Sequence, residues 1–535
     1  MHCYPIIYVR GYAMRMKEVD ETTADPFCGF NAGSTVYRAR VLARDKNAPP
    51  SKFIFESPLI RLGSDFGYKD VYEDGLDITD KDWPPAGKPE GIAERSIIIY
   101  RYYEQASTLL GTGKVPDVET FARGLSELIE RVRYLVEIGE DKVSKQDFRC
   151  YLVAHSMGGL VCRAFLQNPA LDPEHTAKYV EKVFTYATPH NGITAEFRNM
   201  NVPSWAGQFE RIGLIDADNF NHARMASYLD LKARLRSTER VDWLPEERFP
   251  SRNFFCMVGT NRLDYEAAMG LSRTFVGHGS DGLVRIDNAT VWGFKANGEM
   301  SAPCATAYAY RSHSGYFGIV NSEEAYQNLI RFLFGDVRAD IWLDVTSVRL
   351  PPGVEKAARH KRAVNALYLF EFKAAPRGVK WLLTRRVAEE DSAACRTYRE
   401  LTGAKAERKS VFLSTVFLGN RWKANPRRKS IAYQMALGIK VPEYEVDKKF
   451  WPDGHFEGSS LFEDELTAEM FPPDRQGADW TVVFTWRSTP QRPRRYSVSP
   501  GKLDAGTAEL VVPFDQPGQP GITGNLRIRV ALWNQ

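Results

Sequence analysis

Between Tyr151 and Phe165 the chain reads "YLVAHSMGGLVCRAF": a short apolar strand, a turn of small residues, then a helix. The same alternation recurs along the first 335 or so residues. "PIIYVRG" and "RSIIIYRYY" (Arg95–Tyr103) are buried-strand runs, and "VETFARGLSELIERVRYLVEIG" (Val118–Gly139) has helical periodicity. It sets Phe121, Leu125, Leu128, Ile129, Val132 and Leu135 on one face. Strands follow at "FRCYLVA", "KVFTYAT" (Lys182–Thr188), "NFFCMVGT" (Asn253–Thr260) and "CATAYAYR" (Cys304–Arg311). A helix from Gly158 to Gln167 separates the first two, and "SEEAYQNLIRFLFG", with Ser322 as its cap, closes the series. Repeated β-α steps of this kind imply a mostly parallel sheet with helices on both faces.

Two long insertions break the rhythm, at about 14–94 and 195–252, and loops of that length have a function or structure of their own. The second falls where loops cover the C-terminal ends of the strands, the ligand-binding side of such sheets. Its apolar positions Phe209, Ile212, Leu214, Ile215, Met225, Tyr228, Leu229, Leu231 and Leu235 suit a lid over a ligand pocket, or equally a helix pair packed on the core. After about Asp336 the period shortens to two. "ALYLFEF", "SVFLSTVFLG", "IAYQMALGIKV", "WTVVFTWRS", "AELVVPF" and "LRIRVALW" are short strands between turn residues, so 336–535 reads as an all-β, sandwich-like domain behind an α/β domain of 1–335.

Bulk properties narrow the function classes. A chain of 535 residues allows ~2–4 domains. A net charge of +4 on 60.7 kDa gives no case for nucleic-acid binding. The basic runs at Arg427–Lys429 and Arg492–Arg495 read as solvated loop ends. "MHCYPIIYVRGYA" lacks the features of a secretory signal, and no run of 18 apolar residues occurs. The expectation is a cytoplasmic protein without a transmembrane segment; signal-less export and peripheral membrane contact stay open. Seven scattered cysteines without a CxxC pair fit reduced thiols, with Cys150, Cys162 and Cys256 as small core residues.

Ser156 admits two readings: a nucleophile on a strained corner, or part of an ordinary βα turn whose small residues permit tight packing. A serine nucleophile needs a base within hydrogen-bond reach, a group orienting that base, and backbone N–H groups aimed at the developing oxyanion. A sharp strand-to-helix turn exposes it but crowds the positions two before and two after, which are Ala154 and Gly158 here.

"AHSMGGLVCRAF" resembles the nucleophile elbow of α/β-hydrolase lipases and esterases, most of all bacterial lipases and GPI inositol-deacylase-like proteins. Ala154 stands where Gly is usual, a departure that Bacillus-type lipases share. "PIIYVRGYA" resembles the lipase segment whose backbone helps build the oxyanion hole. That match implies the N–H groups of Tyr12 and Met157 as donors, with Arg10 in the place of the usual His. "TYATPHNG" resembles a lipase turn that shapes the site. "GSDGLVRIDNA" resembles the segment carrying the triad acid, which selects Asp281, and His313 in "YRSHSGYFG" occupies the place of the triad histidine. Ser156, Asp281 and His313 keep the chain order of that fold. The resemblance covers about residues 4–335, without most of either insertion, and implies hydrolysis of carboxylic esters, lipid or acyl esters in particular.

The other histidines and acids have plainer readings. His155 neighbours the nucleophile but points elsewhere on a tight turn, His278 precedes the acid and so falls out of order, and His190 makes local turn bonds. Asp264 and Asp287 read as surface or capping carboxylates. The histidine spacing implies neither metal nor cofactor, and nothing identifies ligands for the calcium that some bacterial lipases bind. Three alternatives share the motifs: acyl transfer to an alcohol, an antibacterial lipase effector exported without a leader, and a non-catalytic binding protein. No reading assigns the β-domain a partner.

Overall fold

The computed structural model describes residues 2–11, 34–38, 51–55, 58–73, 76–77, 91–100, 102, 117–193, 217–231, 240–263, 279–314, 318–360, 362–423, 425–446, 454–472, 478–499 and 507–534. They form two compact units: Met1–Thr306 with Arg311–Leu329, and Ala307–Tyr310 with Ile330–Gln535.

A six-stranded sheet organises the first unit. Its strands are β1 (Ile6–Val9), β2 (Ile97–Tyr100), β3 (Cys150–His155), β4 (Val180–Tyr186), β5 (Phe254–Gly259) and β6 (Ala305–Ala309, whose last three residues are grouped with the second unit), in the order β6-β5-β4-β3-β1-β2. The pairs β1–β2, β1–β3, β3–β4 and β4–β5 are all parallel. Every residue of β1, β3 and β5 is buried, which is why these strands read as unbroken apolar runs rather than alternating ones. Helix α1 (Val118–Ile138) starts at Asp117, whose carboxylate accepts from Thr120 N at 2.8 Å. It buries Phe121, Leu125, Ile129, Val132 and Leu135, while Leu128 is half-buried. Helix α2 (Met157–Gln167) leaves β3 directly and is buried along its whole length. Helix α3 (Glu323–Phe334) is capped by Ser322, whose Oγ accepts from Ala325 N at 3.2 Å. Cys150, Cys162 and Cys256 are fully buried.

The second unit is antiparallel. One sheet joins β7 (Val337–Arg349), β11 (Ser410–Leu418), β16 (Thr507–Gln516) and β17 (Gly521–Leu532) in the order β11-β7-β17-β16. The other joins β8 (Val364–Pro376), β9 (Thr384–Arg386), β12 (Ile431–Val446), β13 (Gly454–Phe471), β14 (Trp480–Trp486) and β15 (Arg494–Val498) in the order β9-β8-β12-β13-β14-β15, with β10 (Ala394–Thr397) also paired to β8. Apolar residues of both sheets share one core, with Ile341, Leu413, Leu526 and Ile528 from the first and Phe370, Leu437, Leu466 and Phe484 from the second. The architecture is a sheet of parallel pairs flanked by helices, followed by an antiparallel β-rich region, as the sequence pattern expects.

Candidate active site

Ser156 is the residue at which β3 ends and α2 begins. Its backbone lies at φ 55°, ψ −129°, a region that costs a non-glycine residue about 1–3 kcal/mol and persists only where the surroundings enforce it. They do so here by pairing and by lack of space. Ser156 N donates to Tyr186 O, the end of β4, at 2.9 Å, while β1 and β4 run in register on either side of Ala154. A Cβ at position 158 would stand 2.0 Å from Val9 O, one at 159 would stand 2.2 Å from Thr188 Oγ1, and one at 11 would stand 2.5 Å from Ser156 Cβ. Only glycine fits at these three positions. The first two belong to the small-residue turn; the third, Gly11, is a requirement the motif reading missed, although "VRGYA" displays it.

A serine just before a helix ordinarily turns its hydroxyl back onto the helix N–H groups. Ser156 makes no such bond. Its Oγ lies 2.9 Å from His313 Nε2 instead. His313 Nδ1 is 2.9 Å from Asp281 Oδ2. A carboxylate can only accept, so the imidazole proton sits on Nδ1 and Nε2 is left to accept from the serine hydroxyl. All three side chains are buried.

The acid is held as firmly as the nucleophile. Asp281 Oδ1 accepts from Leu283 N at 3.0 Å and Val284 N at 2.7 Å, and His313 N donates to Asp281 O at 3.0 Å. Gly279 (φ 69°) and Gly282 (φ 100°) supply the left-handed backbone that folds the acid loop this tightly. Gly259, the last residue of β5, has no room for a Cβ: it would meet Arg311 O at 2.7 Å and Asp281 Cβ at 2.8 Å. The acid and histidine loops therefore converge on the end of β5. Arg311 anchors the histidine loop to α3 through paired bonds to Glu324 at 3.0–3.1 Å.

Met157 is the first residue of α2, where backbone N–H groups have no intrahelical acceptor. Tyr12, the other expected oxyanion donor, lies outside the described residues, as do His278 and Asp264. His155 Nε2 bonds His313 O at 2.9 Å, and the two rings are 5.0 Å apart. Burial first, and the neighbouring His313 second, push the His155 pKa well below the ordinary value, which keeps it neutral. It braces the base through the backbone. His190 is fully buried, with Nε2 3.1 Å from Thr185 Oγ1, and burial likewise drives its pKa far down. Asp287 is exposed.

Arg163 went unremarked in the sequence, although a charge inside "LVCRAF" is the signal. It is fully buried in α2 and donates to three carbonyls, His190 O, Val241 O and Trp243 O, at 2.8–2.9 Å, and to Gln167 Oε1. Burial pulls its pKa down to about 10. This one side chain ties the elbow helix to the "TPHNG" turn. In the second insertion, residues 217–231 pack rather than hang free: Met225, Tyr228, Leu229 and Leu231 are buried, and His222 Nε2 bonds Asn191 O at 2.7 Å. Phe209, Ile212, Leu214, Ile215 and Leu235 lie outside the described residues.

The description "PGAP1-like alpha/beta domain" belongs to a family model that matches residues 116–230, from the start of α1 through the elbow to the packed part of the insertion. Over that stretch the chain is similar to a PGAP1-like α/β domain. No curated protein matches its sequence. Among solved structures, this chain is similar to phospholipase PlaB from Legionella pneumophila in complex with thio-NAD, at 11% identity and TM-score 0.32, covering 86% of this chain and 89% of that one. PlaB alone aligns at 12% identity and TM-score 0.30, with coverage of 85% and 89%. A Tle4–Tli4 complex aligns at 13% identity and TM-score 0.19, with coverage of 61% and 66%. Superpositions this loose set neither substrate nor partner for this chain.

Proposed function

We propose that the chain is a serine hydrolase of carboxylic esters, acting on acyl esters of lipids through Ser156, His313 and Asp281. The observation that carries this reading is the unbroken line of bonds from Ser156 Oγ to His313 Nε2 and from His313 Nδ1 to Asp281 Oδ2, each 2.9 Å. As substrate binds, Ser156 Oγ attacks the ester carbonyl while His313 Nε2 takes its proton. Asp281 holds the tautomer and offsets the imidazolium charge. The tetrahedral oxyanion forms beside the N terminus of α2, where Met157 N–H donates and the helix dipole favours negative charge. Tyr12 N–H supplies the second donor by its match to the lipase segment. His313 returns the proton to the leaving alcohol, and a water activated by the same imidazole cleaves the acyl-enzyme. The scattered thiols support a reducing, cytoplasmic setting.

Fluorophosphonate labelling of the full chain, with p-nitrophenyl esters of graded chain length as substrates, tests the assignment. Wild type is expected to label and turn over. Ser156→Ala should lose both, and His313→Ala should label at least a hundredfold more slowly. Labelling that survives Ser156→Ala removes the nucleophile, and undiminished turnover in His313→Ala removes the base.

A further inference from the structure

The β-rich unit contains space that the ester chemistry does not use. Between its two sheets lies a cavity of about 210 Å³ with an almost wholly apolar lining. Protein interiors are close-packed, so a gap of this size in a sandwich core is a departure that needs a cause. The cause is visible in side-chain size. Ala339, Ala374 and Ala468 line the gap from three different strands, while the residues two positions away on the same faces of those strands are the larger Ile341, Phe372 and Leu466. The core is truncated at one place from both sides. An engineered void of roughly 150 Å³ lined by apolar side chains stays dry and takes up benzene, so this one has room for a single hydrocarbon chain.

The gap reaches the surface beside a second space of different character. Exposed Asn420 and half-buried Trp480 stand on its rim. The turn bearing Asn420 continues through Trp422 to Lys423, and these two line an adjoining pocket of about 250 Å³ together with Arg377 and Arg428. That lining holds three cations and, among the described residues, no carboxylate. Ile431 borders both spaces. Behind the junction, buried Arg331 lies 5.1 Å from the rings of Trp381 and Trp422, the second of which lines the cationic pocket. The acid on the apolar rim, Asp336, accepts from Asn420 N at 2.8 Å.

We propose that these joined spaces form a binding site for a single-chain anionic amphiphile, its hydrocarbon tail between the sheets and its carboxylate or phosphate headgroup among Arg377, Lys423 and Arg428. An apolar slot alone would accept any tail; the cations at its mouth select the sign of the head. The site does not depend on the ester chemistry proposed above, so it can be tested with that chemistry silenced.

The experiment uses the full chain carrying Ser156→Ala, titrated calorimetrically and followed by thermal melting. The probes are dodecanoate, dodecyl phosphate, dodecyltrimethylammonium and inorganic phosphate, each below micelle formation. Saturable binding of one anionic amphiphile per chain, with a raised Tm, is expected. The tighter of dodecanoate and dodecyl phosphate identifies the headgroup. The cation should bind at least tenfold more weakly, and inorganic phosphate should leave Tm unchanged. Ala468→Leu fills the slot and should weaken both anions at least tenfold; Ala339→Val does the same from the opposite sheet if the first variant fails to melt cooperatively. Lys423→Glu with Arg428→Glu should reverse the preference between anion and cation. Equal affinity for anion and cation, no saturable binding, or undiminished binding in a well-folded slot-filled variant would each overturn the proposal.

Discussion

Around Ser156 there is no room for one more carbon, whereas between the sheets of the β-rich unit there is room for several. Gly11, Gly158, Gly159 and Gly259 all sit where a Cβ would fall within 2.8 Å of a neighbouring atom. Ala339, Ala374 and Ala468 face open space instead. Both regions are buried, so burial does not separate them. The difference lies in what the backbone is asked to do. The elbow holds a serine at φ 55°, and that strain persists only because every alternative arrangement is blocked. The sandwich holds ordinary strands, whose pairing survives a void in the layer between them. Tight packing here marks where geometry is enforced, and slack marks where it is not.

The sharpest way to break that contrast changes chemistry at the tight end without adding a heavy atom. Asp281→Asn can keep its Oδ1 bonds to Leu283 N and Val284 N, which leaves an amide N–H₂ facing His313 Nδ1. Two donors cannot share that contact, so the imidazole proton moves to Nε2, where it can no longer accept from Ser156. A fall in kcat of about 10⁴-fold with little change in Tm is expected, measured by ester turnover and thermal melting. A full-rate variant would mean that Asp281 does not orient the base.

Gly158→Ala adds one carbon at the tight end. Its Cβ would stand 2.0 Å from Val9 O, a backbone atom of β1, which is paired on both sides and cannot swing aside. Destabilisation by about 3 kcal/mol or more is expected by denaturant unfolding. Fluorophosphonate labelling should fall about a hundredfold in whatever remains folded, because a displacement of Ser156 by an ångström is enough to do so. Wild-type labelling and melting would show that the corner has slack after all.

The two ends of the contrast were unequally legible in sequence. The elbow was readable because strain and crowding force a residue pattern: small, Ser, small after an apolar strand and before a helix, with glycine-flanked "SDG" downstream. Gly11 and Arg163 carry no such pattern, since a lone glycine or a lone arginine in an apolar run has many meanings until its neighbours in space are known. The β-rich unit shows its alternating strands but not β13, where Glu457, Glu463, Asp464, Glu465 and Glu469 leave no unbroken apolar alternation. Pairing with β12 from Ile431–Met470 to Val446–Gly454 makes it a strand in spite of that composition. The cavity was invisible for a simpler reason. An alanine that leaves a gap and an alanine that fills one are the same letter.

A buried charge tests whether the tight unit is also optimised for stability. Lys182 in β4 is 3% exposed, and burial pulls its pKa down to about 7. The unfolded chain therefore binds this proton more tightly than the folded one between pH 7 and about 10.4, so stability rises with pH across that window. The cost is fully present below pH 7. Lys182→Met should stabilise the protein by about 2 kcal/mol at neutral pH and flatten the rise toward pH 10, read by urea unfolding at both values. A variant less stable than wild type at pH 7 would show that the ammonium group is held by compensating contacts and costs nothing.

The smallest effect belongs to the slack end and completes the comparison. Ala374→Val adds two carbons where Gly158→Ala adds one. Ala374 lines the gap from β8 and is 2% exposed, so its added methyl groups enter empty space rather than a neighbour. Valine also suits a strand better than alanine does. Filling a cavity commonly yields about 0.5–2 kcal/mol, and here the lower half of that range is expected, because two methyl groups occupy only part of the gap. Tm should rise by a few degrees at most, with ester turnover unchanged. A destabilised Ala374→Val would mean that the space between the sheets is already filled in solution, and titration with the dodecyl anions would then be expected to show weakened binding in the same variant.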